Sequence, residues 1–170
     1  MSSSTRETLT AAVLTVSDSS FRGERADASG PAVANLLKEK SFQVIPTQIV
    51  PDEIEKIQEA ILELCEQVRF VVTTGGTGVA PRDVTPEATR AVCERLIEGI
   101  PERMREEGVK KTPFAVLSRG VCGIIGRSLV LNLPGSPKGA VESLTSVIEL
   151  VPHVLDLLAG KTEHSAKSHS

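Results

Sequence analysis

Residues 71–86 read VVTTGGTGVAPRDVTP, an apolar and β-branched run that ends in three glycines within four positions. The charged pair Arg82 and Asp83 follows the glycines, and a Thr-Pro helix start follows that pair. Glycines at the end of a buried strand let backbone N–H groups approach an anion closely. An aspartate just beyond them can hold a cation against that anion. The order of strand, glycine loop, carboxylate and helix therefore indicates a site for phosphate and metal.

Strands and helices alternate along the rest of the chain. Strands are predicted at 11–17, 43–50, 70–73, 121–125 and 128–133, and helices at 30–40, 51–68, 86–96, 101–108 and 141–158. Residues 19–29 are predicted to form a loop. This alternation indicates an α/β fold with a mostly parallel sheet and helices on both faces. We expect one domain over residues 10–160, with disordered segments at 1–9 and 161–170.

Four polar segments follow predicted strands, at residues 17–20, 51–53, 74–83 and 134–138. In parallel α/β sheets, ligands bind outside the carboxyl ends of the strands. Because these ends share one edge of the sheet, the four segments are expected to line a single site although they are far apart in sequence.

Composition disfavours several other classes of protein. The chain has 170 residues, a net charge of −3 and neither Trp nor Tyr, which disfavours a nucleic-acid-binding role. No apolar run approaches the roughly 20 residues of a membrane helix, and the polar N-terminus does not resemble a signal peptide. A cytoplasmic location is therefore predicted. The three separated cysteines predict reduced thiols in or near the core, and the three histidines indicate no zinc site.

Several candidate residues also have a purely structural interpretation. The glycine loop has neither the Gly-Lys-Ser/Thr of a P-loop nor the third glycine of the dinucleotide fingerprint, so a tight strand-to-helix turn is the alternative. Asp52 lies three residues before Glu55, as in a capping box, and Asp27 can cap the helix that follows it. Asp18 can simply end a strand, and Arg119 can be a solvated surface arginine.

The functional interpretation gives the same residues a role in binding phosphate and metal. Asp52 and Asp83 together can hold one Mg²⁺, which typically takes one or two carboxylates plus substrate phosphates and water. The turn 134–137 can form a wall of the pocket, and Ser118 and Arg119 can offer a hydroxyl and a guanidinium to phosphate.

No side chain with a nearby base stands out as an activated nucleophile. A reaction whose nucleophile belongs to the substrate and is already anionic does not need one, and nucleotidyl transfer to a phosphate is such a reaction. The protein then has to align the two substrates and neutralise their charge with Mg²⁺ and with Arg or Lys.

Six motifs resemble the signature of the molybdopterin adenylyltransferase family of molybdenum-cofactor biosynthesis. In chain order they are LTVSD (14–18), DASG (27–30), VPDE (50–53), TTGGTG with PRDVTPEAT (73–89), LSR (117–119) and LNLPGSP (131–137). Together they cover about residues 10–160 in the order expected for this family.

The resemblance implies a three-layer α/β/α sandwich, usually assembled as a homotrimer. It implies the Mg²⁺-dependent reaction of ATP with molybdopterin to give adenylylated molybdopterin and pyrophosphate, followed by a partner enzyme that inserts molybdate. Asp83 and Asp52 would be catalytic by holding the metal. The implied binding residues for the substrates are Ser17, Asp18, Asp27, Ser29, Gly30, Thr74, Gly75, Gly76, Thr77, Gly78, Arg82, Ser118, Arg119, Pro134, Gly135 and Ser136.

Two other functions stay open at the level of sequence. One is a molybdopterin carrier of the same fold that binds the pterin without chemistry. The other is a protein whose fold serves subunit association only. Release of pyrophosphate from ATP in the presence of molybdopterin distinguishes the enzyme from the carrier.

Overall fold

The computed structural model describes residues 7–161 of the chain. The two segments predicted as disordered, 1–9 and 161–170, lie outside the described residues except for positions 7–9 and 161. In the described part, the backbone carbonyl of Leu9 accepts a hydrogen bond from the N–H of Gln43 at 2.8 Å.

Seven strands and seven α-helices make up the described part of the chain. The strands are β1 (Thr10–Val16), β2 (Gln43–Val44), β3 (Gln48–Val50), β4 (Phe70–Thr74), β5 (Arg95–Leu96), β6 (Cys122–Ile125) and β7 (Ser128–Leu133). The α-helices are α1 (Asp18–Phe21), α2 (Ser29–Glu39), α3 (Ile54–Gln67), α4 (Thr85–Val92), α5 (Gly99–Val109), α6 (Pro137–Val147) and α7 (Val151–Leu158). Two short 3₁₀ helices lie at Pro113–Leu117 and Ile148–Leu150.

The strands form one mixed sheet in the order β2–β1–β4–β7–β6–β5, and β3 pairs with β1 on the same side as β2. The pairs of β1 with β2, β3 and β4, and of β4 with β7, are parallel. The pairs of β6 with β5 and with β7 are antiparallel. The carboxyl ends of β1, β3, β4 and β7 therefore meet at one edge.

Alternate residues of the central strands face two separate helical layers. On one face, Val13 and Val72 pack in a cluster with α2, α5, α6 and α7. On the other face, Leu14 and Val71 pack with α3 and α4. Both faces of the sheet are covered, which confirms the predicted three-layer α/β/α sandwich with a mostly parallel sheet.

Several boundaries differ from the prediction, most of them by one to four residues. The helix expected at 141–158 is divided into α6 and α7 by the 3₁₀ helix Ile148–Leu150, and three further differences have a local reason. The strand expected at 43–50 is interrupted at Pro46, which has no N–H to donate to the sheet. The helix expected to reach residue 96 ends at Val92, because Arg95–Leu96 forms β5 against β6. The segment expected to be a loop begins with α1, whose first turn is capped by the Ser17 hydroxyl accepting from the N–H of Ser20.

The cysteines are free thiols, as predicted. Cys65 and Cys122 are buried and Cys93 is half-buried. Burial raises the thiol pKa of Cys65 and of Cys122 to about 12 and that of Cys93 to about 11. The thiols are therefore protonated at neutral pH and are poor nucleophiles. Within the described residues, no helix is both long and apolar enough to cross a membrane.

A buried asparagine joins the strands behind the site. The Asn132 side chain donates to the hydroxyls of Thr73 and Thr89, both at 3.0 Å, and accepts from the N–H of Val121 at 3.1 Å. These contacts tie β7 to β4, to α4 and to the chain entering β6. Buried polar groups of this kind are costly to leave without partners.

Asn132→Ala is expected to lower the free energy of unfolding by about 2–4 kcal/mol, because it leaves a cavity and a buried N–H without an acceptor. Asn35→Ala is the matched control, since Asn35 is exposed on α2 and alanine favours a helix. Urea unfolding followed by circular dichroism measures both. Equal effects of the two substitutions would contradict the structural role of Asn132.

Candidate active site

The structure brings the four predicted polar segments together at the carboxyl edge of the sheet. The Ser17 N–H donates to the carbonyl of Val50 at 3.0 Å, which joins the ends of β1 and β3. The Gly75 N–H donates to the carbonyl of Leu133 at 3.2 Å, and the Thr74 hydroxyl donates to that of Pro134 at 2.7 Å. The glycine loop after β4 thus lies between the exits of β1 and β7.

The first two positions of the glycine loop require glycine. Gly75 and Gly76 have φ values of +102° and +69°, where side chains are strongly disfavoured. A Cβ on Gly75 would lie 2.2 Å from the carbonyl oxygen of Val16, and one on Gly76 would lie 2.2 Å from the Thr85 hydroxyl. Glycine is therefore required at both positions, because of the positive φ and because neighbouring atoms leave no room for a Cβ.

All four carbonyl groups from Gly75 to Gly78 accept hydrogen bonds, and the donors belong to two residues, Thr85 and Arg119. Thr85 donates its hydroxyl to Gly75 at 2.9 Å and its N–H to Gly76 at 3.1 Å. Arg119 donates its backbone N–H to Thr77 at 2.9 Å and its Nε to Gly78 at 2.8 Å. The N–H groups of Gly76, Thr77 and Gly78 donate to no protein group among residues 7–161. Free, successive N–H groups form an anion-binding concavity.

Two carboxylates lie beside this loop. The Asp52 Oδ1 is 3.2 Å from the position that a Cβ on Gly76 would occupy, and the Asp83 Oδ2 is 2.8 Å from that of Gly78. Asp83 also accepts from the N–H of Ala80 at 3.0 Å. The structure thus places both predicted metal ligands next to the same short loop.

Asp52 is joined to Asp18 by a reciprocal pair of hydrogen bonds. The Asp18 N–H donates to Asp52 Oδ2, and the Asp52 N–H donates to Asp18 Oδ1, both at 2.9 Å. Helix α3 begins at Ile54 with Glu53 as its N-cap and has no side-chain cap bond. The capping-box interpretation of Asp52 is therefore wrong, because its carboxylate caps the start of α1 from a distance of 34 residues.

Arg82 pairs with Asp18 and not with its neighbour in sequence. Its Nε and Nη2 donate to the two oxygens of Asp18 at 2.9 and 2.8 Å. This bond lowers the pKa of Asp18, whereas burial raises the pKa of Asp52, with the nearby charges of Asp18 and Asp83 adding to the effect. Asp18 is therefore an ionised carboxylate paired with Arg82. Beside it, Asp52 is a carboxylate whose ionised form is disfavoured by burial and by the neighbouring negative charges.

Arg119 braces the loop in addition to its bond with Gly78. Its Nη2 donates to the carbonyl of Asp83 at 2.8 Å, and its Nη1 pairs with Glu87 at the start of α4. The guanidinium is half-buried, so the interpretation of Arg119 as a solvated surface arginine is wrong. Whether it also contacts a substrate phosphate stays a prediction.

Two cavities open on either side of the loop and share the residues Gly135 and Ser136. The loop cavity, of about 600 Å³, contains Thr77, Gly78, Asp83 and Ser118, and is walled by α5, α6 and the 3₁₀ helix at 113–117. The Asp27 cavity, of about 390 Å³, contains Ser17, Asp27, Ser29 and Thr74. Asp18, Asp52 and Arg82 line neither cavity.

Asp27 holds the start of α2, as its capping interpretation predicts. Its carboxylate accepts from the N–H of Gly30 at 3.0 Å and from the hydroxyl of Thr15 at 2.8 Å. A Cβ on Gly30 would lie 2.3 Å from Asp27, so Gly30 serves this packing. Asp27 and Ser29 also line the smaller cavity, and a binding role there stays a prediction.

Several residues of the site were not predicted. Thr85 fixes two loop carbonyls, and Arg105, Lys111 and Phe114 line the loop cavity. The sequence gives α5 a periodic and charged pattern, but nothing in it indicates that this helix lies over the glycine loop. No cluster of three or more potential metal-ligating side chains occurs in the described ranges, so the two carboxylates stand without a third.

The chain belongs to the molybdenum-cofactor biosynthesis family described as "Probable molybdopterin binding domain", whose model matches residues 12–153. It is 40% identical to a molybdopterin adenylyltransferase of Helicobacter pylori over 158 residues, which cover 91% of this chain and 90% of that enzyme. It is 42% identical to the molybdenum cofactor synthesis protein cinnamon of Drosophila melanogaster, covering 96% of this chain but 28% of that protein.

The fold is shared with solved structures of the same family. The molybdopterin biosynthesis enzyme MoaB of Thermus thermophilus superimposes with a TM-score of 0.84 at 48% identity, covering 89% of this chain and 97% of that one. The Mog protein of Mycobacterium ulcerans superimposes with the same TM-score at 37% identity, covering 91% and 99%.

Gly76→Ala is expected to lower the free energy of unfolding by about 2–4 kcal/mol, from strained backbone and the contact with Thr85. Gly126→Ala is the matched control, because Gly126 also has a positive φ, of +58°, but no atom lies near its Cβ position. It should cost only about 1 kcal/mol. Chemical unfolding measures the difference, and equal losses would mean that the close approach at Gly76 contributes nothing.

Asp52→Asn is expected to raise the melting temperature at neutral pH in a buffer that contains a metal chelator. The raised pKa means that folding disfavours the ionised carboxylate, so wild-type stability is full at low pH and falls as pH rises through that pKa. The amide oxygen can still accept from Asp18. The gain should disappear as pH falls below the usual carboxyl range, and a gain independent of pH would contradict the assignment.

Proposed function

We propose that this chain is an adenylyltransferase that joins ATP and molybdopterin to give adenylylated molybdopterin and pyrophosphate. The observation that carries the proposal is the glycine loop, which has free N–H groups among residues 7–161, has Asp52 beside Gly76 and Asp83 beside Gly78, and lines a cavity large enough for a nucleotide. Relatives named for this activity match the chain over about nine-tenths of its length.

The donor set of the site fits Mg²⁺. Mg²⁺ takes one or two carboxylates together with phosphate oxygens and water, and does not need an all-protein cage. Asp83 and Asp52 would hold the ion beside the loop, where Asp52 is a partly desolvated carboxylate that forms no ion pair with any residue from 7 to 161. When bound, the ion would neutralise charge on the ATP phosphates.

The residues of this chain would act by binding and alignment. The N–H groups of Gly76, Thr77 and Gly78 would donate to phosphate oxygens, and Ser136 would contact a substrate at the junction of the two cavities. The terminal phosphate of molybdopterin supplies the attacking oxygen, which forms a bond to the α-phosphorus of ATP as pyrophosphate leaves. No protein nucleophile is needed, because the attacking phosphate is already anionic.

Most of the remaining candidate residues are assigned to substrate binding on the same basis. We place the substrates in the two cavities, in contact with Ser17, Asp27, Ser29, Thr74, Gly75, Ser118, Pro134 and Gly135. Gly30 and Arg119 line neither cavity, and we assign them to the support of Asp27 and of the glycine loop. Asp18 and Arg82 would act through their contacts with each other and with Asp52. A homotrimer, a partner enzyme that inserts molybdate into the product and a cytoplasmic location stay predictions.

Asp83→Asn and Asp52→Asn are each expected to lower pyrophosphate release from ATP and molybdopterin by at least about a hundredfold, because each removes a carboxylate that holds the metal. Binding of molybdopterin, followed by its fluorescence, should change little. Asp156→Asn is the matched control, since Asp156 is exposed on α7 and distant from the site.

Three outcomes are informative. Normal turnover in both site variants would contradict the assignment of the two carboxylates. Binding of molybdopterin by the wild-type chain without any release of pyrophosphate would contradict the enzymatic proposal and favour a carrier. A loss of activity in Asp156→Asn equal to that of the site variants would show that general destabilisation is responsible.

A further inference from the structure

Phe114 is an exposed aromatic residue that lines the loop cavity. Its side chain is 74% exposed on the 3₁₀ helix Pro113–Leu117. The chain has four phenylalanines, of which Phe42 and Phe70 pack together in the core with ring centroids 5.7 Å apart. Phe21 is exposed on α1 and lines neither cavity. Phe114 is therefore the aromatic ring that this site offers to a ligand.

The turn that carries Phe114 is fixed by its own contacts. Pro113 occupies the first helical position, and the Thr112 hydroxyl accepts from the N–H of Phe114 at 3.4 Å. Ala115 packs directly on α5, where a Cβ on Gly108 would lie 2.8 Å from the Ala115 Cβ. A ring presented by a fixed turn loses little freedom when a ligand binds to it.

The lining of the loop cavity is chemically mixed. Phe114, Pro101, Met104 and Leu117 contribute apolar surface, and the glycine loop contributes N–H groups that donate to no protein group among residues 7–161. The charged residues Arg105, Glu107, Lys111 and Glu142 also line the cavity. A ligand that matches this arrangement has a flat, weakly polar ring at one end and an anionic group at the other. Both substrates of the proposed function, on which this inference rests, have a fused nitrogen heterocycle and phosphate.

We propose that Phe114 stacks on the fused heteroaromatic ring of a substrate bound in the loop cavity, either the purine of ATP or the pterin of molybdopterin. Both rings present the same chemistry to a phenyl face. Removing an aromatic residue that stacks on a nucleobase typically weakens binding about tenfold. Phe114 would thus contribute to the affinity for one of the two substrates.

The experiment compares Phe114→Ala, Phe114→Leu and Phe114→Trp with wild type. Phe114→Ala is expected to raise KM for one substrate about tenfold while kcat stays within about twofold. Phe114→Leu keeps apolar area but has no ring, so its affinity for that substrate should lie between those of wild type and Phe114→Ala. Phe114→Trp keeps an aromatic ring, so its affinity should equal or exceed that of wild type. Titration with an ATP analogue that resists cleavage, and with molybdopterin followed by its fluorescence, identifies which ring is bound.

Val116→Ala is the control, because Val116 is 63% exposed on the same turn but lines neither cavity. The proposal is overturned if Phe114→Ala binds both ligands as Val116→Ala does. It is also overturned if Phe114→Ala acts only by changing the sedimentation coefficient, since Phe114 would then contact a second copy of the chain. Wild-type turnover is measured first, so an inactive wild type rejects the proposed function, while direct binding still tests Phe114.

Discussion

The absence of a side chain at Gly75 is the constraint on which the rest of the site depends. A Cβ there would lie 2.2 Å from the Val16 carbonyl, and one on Gly135 would lie 3.3 Å from the Gly75 Cα. The ends of β1, β4 and β7 therefore meet with backbone against backbone. This contact makes Gly135 and Ser136 a common wall of both cavities.

The charges around this contact are arranged unevenly. Asp18 receives the Arg82 guanidinium and the N–H of Asp52, and its pKa falls. Among residues 7–161, the Asp52 carboxylate accepts only the backbone N–H of Asp18, and its pKa rises because it is partly buried near Asp18 and Asp83. A folded chain that keeps such a carboxylate gives up stability at neutral pH. A divalent cation bound beside Asp52 would remove that cost, so binding and stability are coupled at this residue.

The parts of the fold that the sequence predicts are those specified by local pattern. Strands β1, β4 and β7 are largely apolar on both faces and are followed by serine, glycine and proline, so they are recognised without tertiary information. Strand β5 is two residues long and exists only because β6 lies beside it. The pairing of Arg82 with Asp18 spans 64 residues, and the sequence offers the neighbouring Asp83 as an equally good partner. Likewise, the sequence does not indicate that Phe114 is near the site, because only the folded structure places the turn at 113–117 in the wall of the loop cavity.

Arg119 illustrates why a basic residue near a phosphate site does not have to be read as a phosphate ligand. Together with Thr85 it binds the carbonyl oxygens of Gly75, Gly76, Thr77 and Gly78. In a trans peptide the C=O and the following N–H point in opposite directions, and the described residues contain no cis peptide. The N–H group that follows each of these carbonyls is therefore turned away from the Thr85 or Arg119 group that binds the carbonyl. Arg119 therefore fixes the backbone of the proposed anion site through its backbone N–H and its guanidinium, and this role does not require the guanidinium to touch the anion.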